Sequence, residues 1–548
     1  MNKIHHLIAQ FIHELESVPT SLSLWFTSFI ALIITRIAIE NAVGLFESPT
    51  SEFLQYEFLH TFFFFLFSYL LLWPLVSYFG KVSPKKASSV LLFGFLIILT
   101  PPILDVWIAS GEHLWSFYKF DSLLGLLKRY VLFFGDKPNI GITYGVRIEV
   151  ALTVIFLGLY TFIKRKSFLY ALISGLSTYT LLFILGTFPS WLTFIILGRE
   201  KNILLIKDFD VAALFLSPPH ILAKESFDII NSLNIKMSLI YAPLSLCLAL
   251  LYFWKYEPKK FVALLKNARV PQIAYHVGLF FLGLLLAYTF NKARIELSIF
   301  TILALINICI AITFAWIASV IINDVFDISI DTISNSNRPL QKKIISLSEY
   351  YAYGYIFFAI SLLFAVLVSL KCVFLILLYQ ALAWLYSAWV FRLKKFPLIA
   401  TFFAALASVC IVILGYTSIS HDGSLKDLPL QILFYLLISL TLFLPFKDLK
   451  DREGDKKDKI YTIPVLFGDK KGKLIIASFA FSVYILGVFI LHTPSLFWIA
   501  LLCGSASFWV IFESTHSQNK KLTYRSLPAY LLSITTLYVL SIIYSILY

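Results

Sequence analysis

The stretch IFTILALINICIAITFAWIASVIINDVFDISID, residues 299–331, carries no charged side chain until Asp324, Asp327 and Asp331 arrive in close succession. A helix rises about 1.5 Å per residue, so about 20 apolar residues cross the roughly 30 Å hydrocarbon core of a bilayer. The stretch predicts a membrane-spanning helix that ends on carboxylates, and that ending needs a reason. The rest of the chain is equally oily. Of 548 residues, 59% are hydrophobic, 14% are charged and 53 are phenylalanine. The fold class this predicts is an all-α polytopic membrane protein, multi-pass and integral to the bilayer.

Working outward, apolar runs near 272–290, 296–321, 350–369, 372–391, 397–417, 429–446, 474–491, 495–513 and 526–547 predict nine transmembrane helices within 271–548. Runs near 21–45, 54–79, 87–108, 145–163, 167–197 and 237–254 predict an additional N-terminal domain of about six transmembrane helices over 21–255. Residues 256–270, within KYEPKKFVALLKNARVPQ (255–272), read as a basic linker between the two. In residues 1–20, Leu7, Ile8, Phe11, Ile12 and Leu15 share one helical face, the pattern of an amphipathic helix lying in the membrane interface.

The net charge of +14 would suit a nucleic-acid partner, but the basic residues sit in short loops between apolar runs. That is the loop bias of a membrane protein, so the expected partner is the lipid bilayer and no nucleic acid. Alternating nine helices puts Arg338, Lys342, Lys343, Arg392, Lys394, Lys395, the lysine-rich 447–473 segment, Lys520, Lys521 and Arg525 on one side. The other side has only Lys292, Arg294, Lys371 and Lys426. By the positive-inside rule the aspartate-bearing loops face the cytoplasm, most simply of the cytoplasmic membrane. The five cysteines are scattered without CxxC spacing and read as helix-packing thiols; the ten histidines suggest no metal site.

A second acidic cluster, FKDLKDREGDKKDKIYTIPVLFG (446–468), repeats the spacing of the first: Asp448, Asp451 and Asp455 against Asp324, Asp327 and Asp331. Steps of three and four residues put each trio within about 60° on one helical face. Asn323 lies one turn before Asp327 and joins that surface. Single acidic residues commonly cap helices or solvate loops, but two matched trios ending apolar spans on one side do not fit that pattern. Like charges near membrane depth need a cation, and hard oxygen donors without Cys or His suit Mg²⁺. Nearby Lys and Arg would suit the remaining charge of a polyphosphate ligand.

NDVFDISID followed by NRPL resembles the NDxxDxxxD…NRP signature of the UbiA superfamily of intramembrane prenyltransferases. DLKDREGD followed by TIPVLFG resembles that family's second signature, DxxDxxGD…TLPVxxG. LYSAWVFRLKKFPLIA (385–400) is similar to its Tyr-Ser element with a basic pair before a proline. The resemblance covers about 265–548 and implies a nine-helix UbiA-type bundle. Two positions depart from the family pattern. Lys459 stands where the family usually has glycine, and the first helix opens Arg269-Val270-Pro271 rather than Arg-Pro.

The resemblance implies Mg²⁺-dependent transfer of an isoprenyl chain from a prenyl diphosphate to a lipophilic acceptor, through ionisation of the allylic diphosphate. Asn323, Asp327, Asp331, Asp451 and Asp455 are the implied metal ligands, with Asp324 and Asp448 as neighbouring ligands or acceptor-orienting groups. Arg338, Arg392, Lys394 and Lys395 are implied for the diphosphate, although each taken singly reads as well as a membrane-surface anchor. Tyr386 is implied as a donor to the diphosphate or a shield for the cation. An aromatic, quinone-precursor acceptor is the commoner family chemistry and is the expectation; a glycerol-phosphate lipid hydroxyl is the alternative. An ion-coupled lipid transporter is the non-enzymatic rival, but it would carry its charges near midmembrane. In the N-terminal domain Arg36, Glu40, Asp105, Arg147 and Glu149 lie in or beside apolar segments. They read equally as functional charges and as helix-end snorkelling or internal ion pairs, leaving that domain as a scaffold, a protein-partner module or a lipid-handling unit.

Overall fold

Ser298 opens the long helix Ile299–Phe326: its Oγ accepts the Thr301 N–H at 3.1 Å, satisfying one of the amide donors that a helix start leaves unpaired. At 28 residues the helix is long enough to cross the bilayer with length to spare. The computed structural model describes residues 2–18, 21–42, 51–108, 118–135, 141–218, 221–222, 229–291, 295–420, 423–457, 459–515, 522–524 and 526–547. Lys292, Arg294, Lys520, Lys521 and Arg525, used above for orientation, lie outside them.

Among the described residues fifteen helical segments are long and apolar enough to span a membrane. Six begin in the first half (Leu22–Ala42, Gln55–Gly80, Pro84–Ile108, Tyr144–Arg165, Phe168–Gly186 and Asn231–Tyr256) and nine follow from Val270 onward. Among the described residues, strand-like pairing is confined to isolated bridges such as that between Thr515 and Thr523. The protein is an all-α, multi-pass membrane protein. The chain divides into two compact units, one formed by Met1–His220 with Lys224–Tyr252, the other mainly by Phe253–Tyr548.

In the first unit, the expected single span at 167–197 is broken. One helix ends at Gly186 and another, Phe188–Leu197, begins after Thr187 with Pro189 in its first turn. Proline has no N–H to give back to the preceding turn, so the ladder stops there. The Thr187 hydroxyl donates to Phe183 O and accepts from Trp191 Nε1 at 2.9 Å. A second irregularity follows the same logic. Pro101 and Pro102 cannot donate to the carbonyls of Ile97 and Ile98, and residues Phe95–Leu99 tighten into a 3₁₀ turn. Side chains take over both carbonyls: Thr100 Oγ1 donates to Ile97 O at 2.8 Å, and the Arg36 guanidinium donates to Ile98 O. The N-terminal helix Asn2–Ser17 is anchored by its buried Glu16, which pairs with Lys164 at 2.8 Å and accepts from Tyr160 Oη at 3.0 Å.

In the second unit, helices Val270–Phe290 and Ile399–Ile419 cross at a point with no room for a side chain. A Cβ on Gly283 would strike the Val412 carbonyl oxygen, and one on Gly415 would strike that of Phe280. Small residues that admit close backbone approach are how helices associate in lipid, where the hydrophobic effect drives no helix against its neighbour. Gly283→Ala is therefore expected to cost about 1–3 kcal/mol through overpacking, read as a lowered thermal midpoint of the purified protein. An unchanged midpoint would mean the crossing is looser than this.

Candidate functional site

The first aspartate trio does not lie on one unbroken helical face, as the spacing alone predicts. Helix Ile299–Phe326 stops at Asp327, whose φ of −109° and ψ of 17° break the ladder, and a short helix, Ile328–Ser334, follows. The break aims the three carboxylates at different partners. The second trio keeps the predicted arrangement, all three on the helix Asp448–Lys457. Pro445 sets this helix apart from Leu430–Phe443 by a 3₁₀ turn. The helices Ile328–Ser334 and Asp448–Lys457 pack against each other, so the two acidic motifs meet at one end of the unit.

Asp324 is 1% exposed and fully engaged. Its Oδ1 accepts from Arg338 Nη1 at 2.6 Å and Arg269 Nη2 at 3.0 Å. Its Oδ2 accepts from Asn267 Nδ2 at 2.6 Å and Tyr350 Oη at 2.9 Å. Asn267 ends the short helix Pro258–Asn267, which therefore contributes directly to the site. Arg338 also pairs with Asp331, which accepts from Asn335 Nδ2 at 3.2 Å. Burial, aided by repulsion from Asp324 and Asp327, pushes the Asp331 carboxyl up to about 6, against the pull of Arg338.

Asp327 faces Arg392 and Lys394. Its Oδ1 is paired with the Lys394 ammonium and accepts from Arg392 Nη2 at 3.2 Å. Asn323 Oδ1 accepts from Lys394 Nζ at 3.3 Å and from Ser387 Oγ at 3.1 Å. Burial draws the Lys394 ammonium below the usual lysine range, against the pull of Asp327 and, more weakly, Asp331. Lys394 also attracts Asp455, which is repelled by Asp448 and Asp451. One buried ammonium thus sits among carboxylates from both motifs.

Tyr386 receives a hydrogen bond from Lys447 Nζ at 3.4 Å, with the ammonium 5.4 Å from the ring centre. Lys447 is also within electrostatic reach of Asp448 and Asp451. Lys395 takes another direction: its ammonium lies over the Trp389 ring at 5.2 Å, and its carbonyl accepts from the Tyr461 N–H at 3.0 Å. Of the expected groups, then, Asn323, Asp327, Arg392 and Lys394 meet directly, as do Asp324, Asp331 and Arg338. Asp448, Asp451 and Asp455 complete the acidic surface, and the Lys395 side chain stands aside. Sequence reasoning missed Asn267, Arg269, Tyr350, Ser387 and Lys447 as site residues. The altered Arg-Val-Pro opening was the one trace of Arg269.

Lys459, which replaces the family's usual glycine, has φ +56°, in the left-handed region glycine favours. The turn that glycine would ease is retained. Gly468, which closes TIPVLFG, has φ +77° and interrupts the helix Ile463–Ile490.

Among the described residues no three acidic side chains converge closely enough to hold a metal ion. The donor chemistry nevertheless fits Mg²⁺. Every candidate ligand is a carboxylate or an amide oxygen, and Lys394 holds a positive charge where the two motifs approach each other.

A family model described as UbiA prenyltransferase family matches residues 277–534. The digeranylgeranylglyceryl phosphate synthase of Methanobrevibacter smithii is 30% identical over 176 residues, covering 31% of this chain and 60% of that protein, less than two thirds of its length. The protein of the same name from Pyrococcus horikoshii is 30% identical over 225 residues, covering 41% of this chain and 75% of the relative. A solved UbiA homologue from Archaeoglobus fulgidus, bound to GPP and Mg²⁺, aligns at 20% identity and a TM-score of 0.40, covering 52% of this chain and all of that one. The P. horikoshii alignment runs through three quarters of the relative, and the family match spans both aspartate motifs and the basic element between them. By that measure the chain belongs to the UbiA prenyltransferase family.

Proposed function

We propose that the second unit transfers an isoprenyl chain from a prenyl diphosphate to the hydroxyl of a glycerol-phosphate lipid within the membrane. The observation that carries the reaction class is the meeting of two aspartate motifs near Arg392 and Lys394 at one end of the bundle. The acceptor is favoured by the relatives, which are named digeranylgeranylglyceryl phosphate synthase. This reverses the sequence-based preference for an aromatic, quinone-precursor acceptor. That preference rested on which chemistry is commoner in the family, and no residue of the site speaks for it.

Asn323, Asp327, Asp331, Asp451 and Asp455 would hold Mg²⁺, which when bound supplies the positive charge that a departing diphosphate needs. Arg338, Arg392 and Lys394, now paired with carboxylates, are the groups whose N–H donors would turn to diphosphate oxygens. Asp324 is a positioning residue: it fixes the Arg338 guanidinium from one side while Asp331 holds it from the other. Lys447 orients Tyr386, whose ring and hydroxyl would face the reacting end of the prenyl chain.

The allylic carbon–oxygen bond breaks with its electron pair leaving on the diphosphate. The acceptor oxygen then bonds to the allylic carbon and its proton passes to a diphosphate oxygen. The chain need supply no nucleophile; it must hold charge, exclude water and align the two lipids. The excess of Lys and Arg in the aspartate-side loops supports a cytoplasmic site.

The test supplies the purified full-length protein in lipid with geranylgeranyl diphosphate and either a geranylgeranylated glycerol phosphate or a phenolic acid, with Mg²⁺ or excess EDTA. The expected result is an ether product from the glycerol-phosphate lipid alone, with chelation lowering the rate at least about a hundredfold. A product from the phenolic acid alone would restore the aromatic reading. Equal rates with and without EDTA would remove the metal from the proposal.

A further inference from the structure

The first unit contains a partly open chamber of about 940 Å³, at the upper end of what small-molecule sites occupy. Its walls are mostly apolar, including Phe64, Phe65, Leu72 and Leu185, but one region carries Arg36, Glu40, Glu57, Asp105 and Glu149. These side chains come from four different spanning helices, near their ends, and line a single cavity. Carboxyl groups facing a mostly apolar cavity are costly to leave without partners.

The one cation of this cluster is already committed. Arg36 donates to the Ile98 carbonyl that Pro102 leaves without a donor, and it pairs with Glu40 at 2.8 Å. Asp105 is also committed, accepting the Gly145 N–H at 2.6 Å. Glu57 is committed on one side only, to the Asn41 amide, and Glu149 is not committed. Glu57 Oε2 is buried without a hydrogen-bond partner, and among the described residues the Glu149 carboxyl has neither an ion pair nor a hydrogen bond. Both feel the charges of Arg36 and Glu40. The chamber therefore has one Glu57 oxygen and the Glu149 carboxyl without a hydrogen-bond donor among the described residues.

We infer that this chamber binds an amphiphile with a cationic amino head group. Its alkyl tail would lie along the phenylalanine and leucine walls and its head would meet Glu57 and Glu149. An ammonium offers three donors and a positive charge to two carboxyls, whereas a hydroxyl offers one donor and no charge. A phosphate or diphosphate head would be repelled by the same acids. The chamber is thus selective in the opposite sense to the diphosphate site proposed for the second unit, and the inference does not depend on that proposal.

The test presents the full-length protein with dodecylamine, dodecanol and dodecyl phosphate, which share one tail, and counts bound molecules by native mass spectrometry. Dodecylamine is expected to bind at least tenfold more tightly than the other two. E57Q/E149Q, nearly isosteric with the parent, is expected to abolish that preference while leaving dodecanol binding unchanged. Should the double variant fold poorly, E149Q alone is expected to weaken the amine preference. Thr61→Trp, which fills the chamber one turn along the helix from Glu57, is expected to displace all three amphiphiles. Equal binding of the three head groups, an amine preference that survives E57Q/E149Q, stronger binding of the phosphate, or no binding of dodecylamine would each overturn the inference.

Discussion

Asp327→Asn is expected to reduce prenyl transfer by at least about a hundredfold while leaving the protein folded. The substitution keeps the shape of the side chain and an oxygen acceptor, but removes the negative charge paired with Lys394 and Arg392. A hundredfold loss corresponds to about 2.7 kcal/mol of transition-state stabilisation, a modest demand on a carboxylate that would ligate a divalent ion. Asp451→Asn, on the facing helix, is expected to behave alike. The measurement is the initial rate of product formation at saturating Mg²⁺, beside the thermal midpoint of each variant. Rates within threefold of the parent in both would show that neither carboxylate holds the metal.

Truncating the aspartate one turn earlier should fail differently. Asp324→Ala removes the acceptor for Arg269, Arg338, Asn267 and Tyr350 at once, in a place that is 1% exposed. Breaking a buried ion pair from one side typically costs 3–5 kcal/mol, because the remaining cation is left uncompensated. Arg338 retains Asp331, and Arg269 is partly exposed, so the lower end, about 3 kcal/mol, is the expectation here. The signature is a lower thermal midpoint and faster proteolysis at any Mg²⁺ concentration. Asp327→Asn, by contrast, should lose activity without losing stability. A stable, inactive Asp324→Ala would make Asp324 a ligand and not a positioning group.

The spanning segments were legible because a bilayer enforces one strong rule, about 20 apolar residues in a row, and composition alone reports it. The two aspartate motifs were legible because their spacing is local. Their partners were not. Asn267 lies 57 residues before Asp324 and Ser387 lies 64 residues after Asn323, separations at which no periodicity carries information. The break at Asp327 was hidden for a different reason: its neighbours Phe326 and Ile328 suit a continuing helix, and only the tertiary pull of Lys394 and Arg392 marks the turn. At 187 the break was available in Pro189 but was outweighed by the unbroken hydrophobic run. Lys395 illustrates a limit of motif transfer. It is adjacent to Lys394, yet the 3₁₀ turn Leu393–Lys395 turns the two ammonium groups toward different partners.

The helix Pro258–Asn267 precedes the first span of the bundle, yet its last residue, Asn267, and Arg269 just beyond it hold Asp324, and its Lys260 is tied to Glu349 at 2.8 Å. If two ancestral genes were joined to make this polypeptide, the seam lies upstream of Pro258. A shortened chain meant to keep the transferase alone must begin before that proline. Cutting at Val270, where the first apolar span starts, would free every transmembrane helix of the bundle and still remove two of the four groups that hold the buried carboxylate in place.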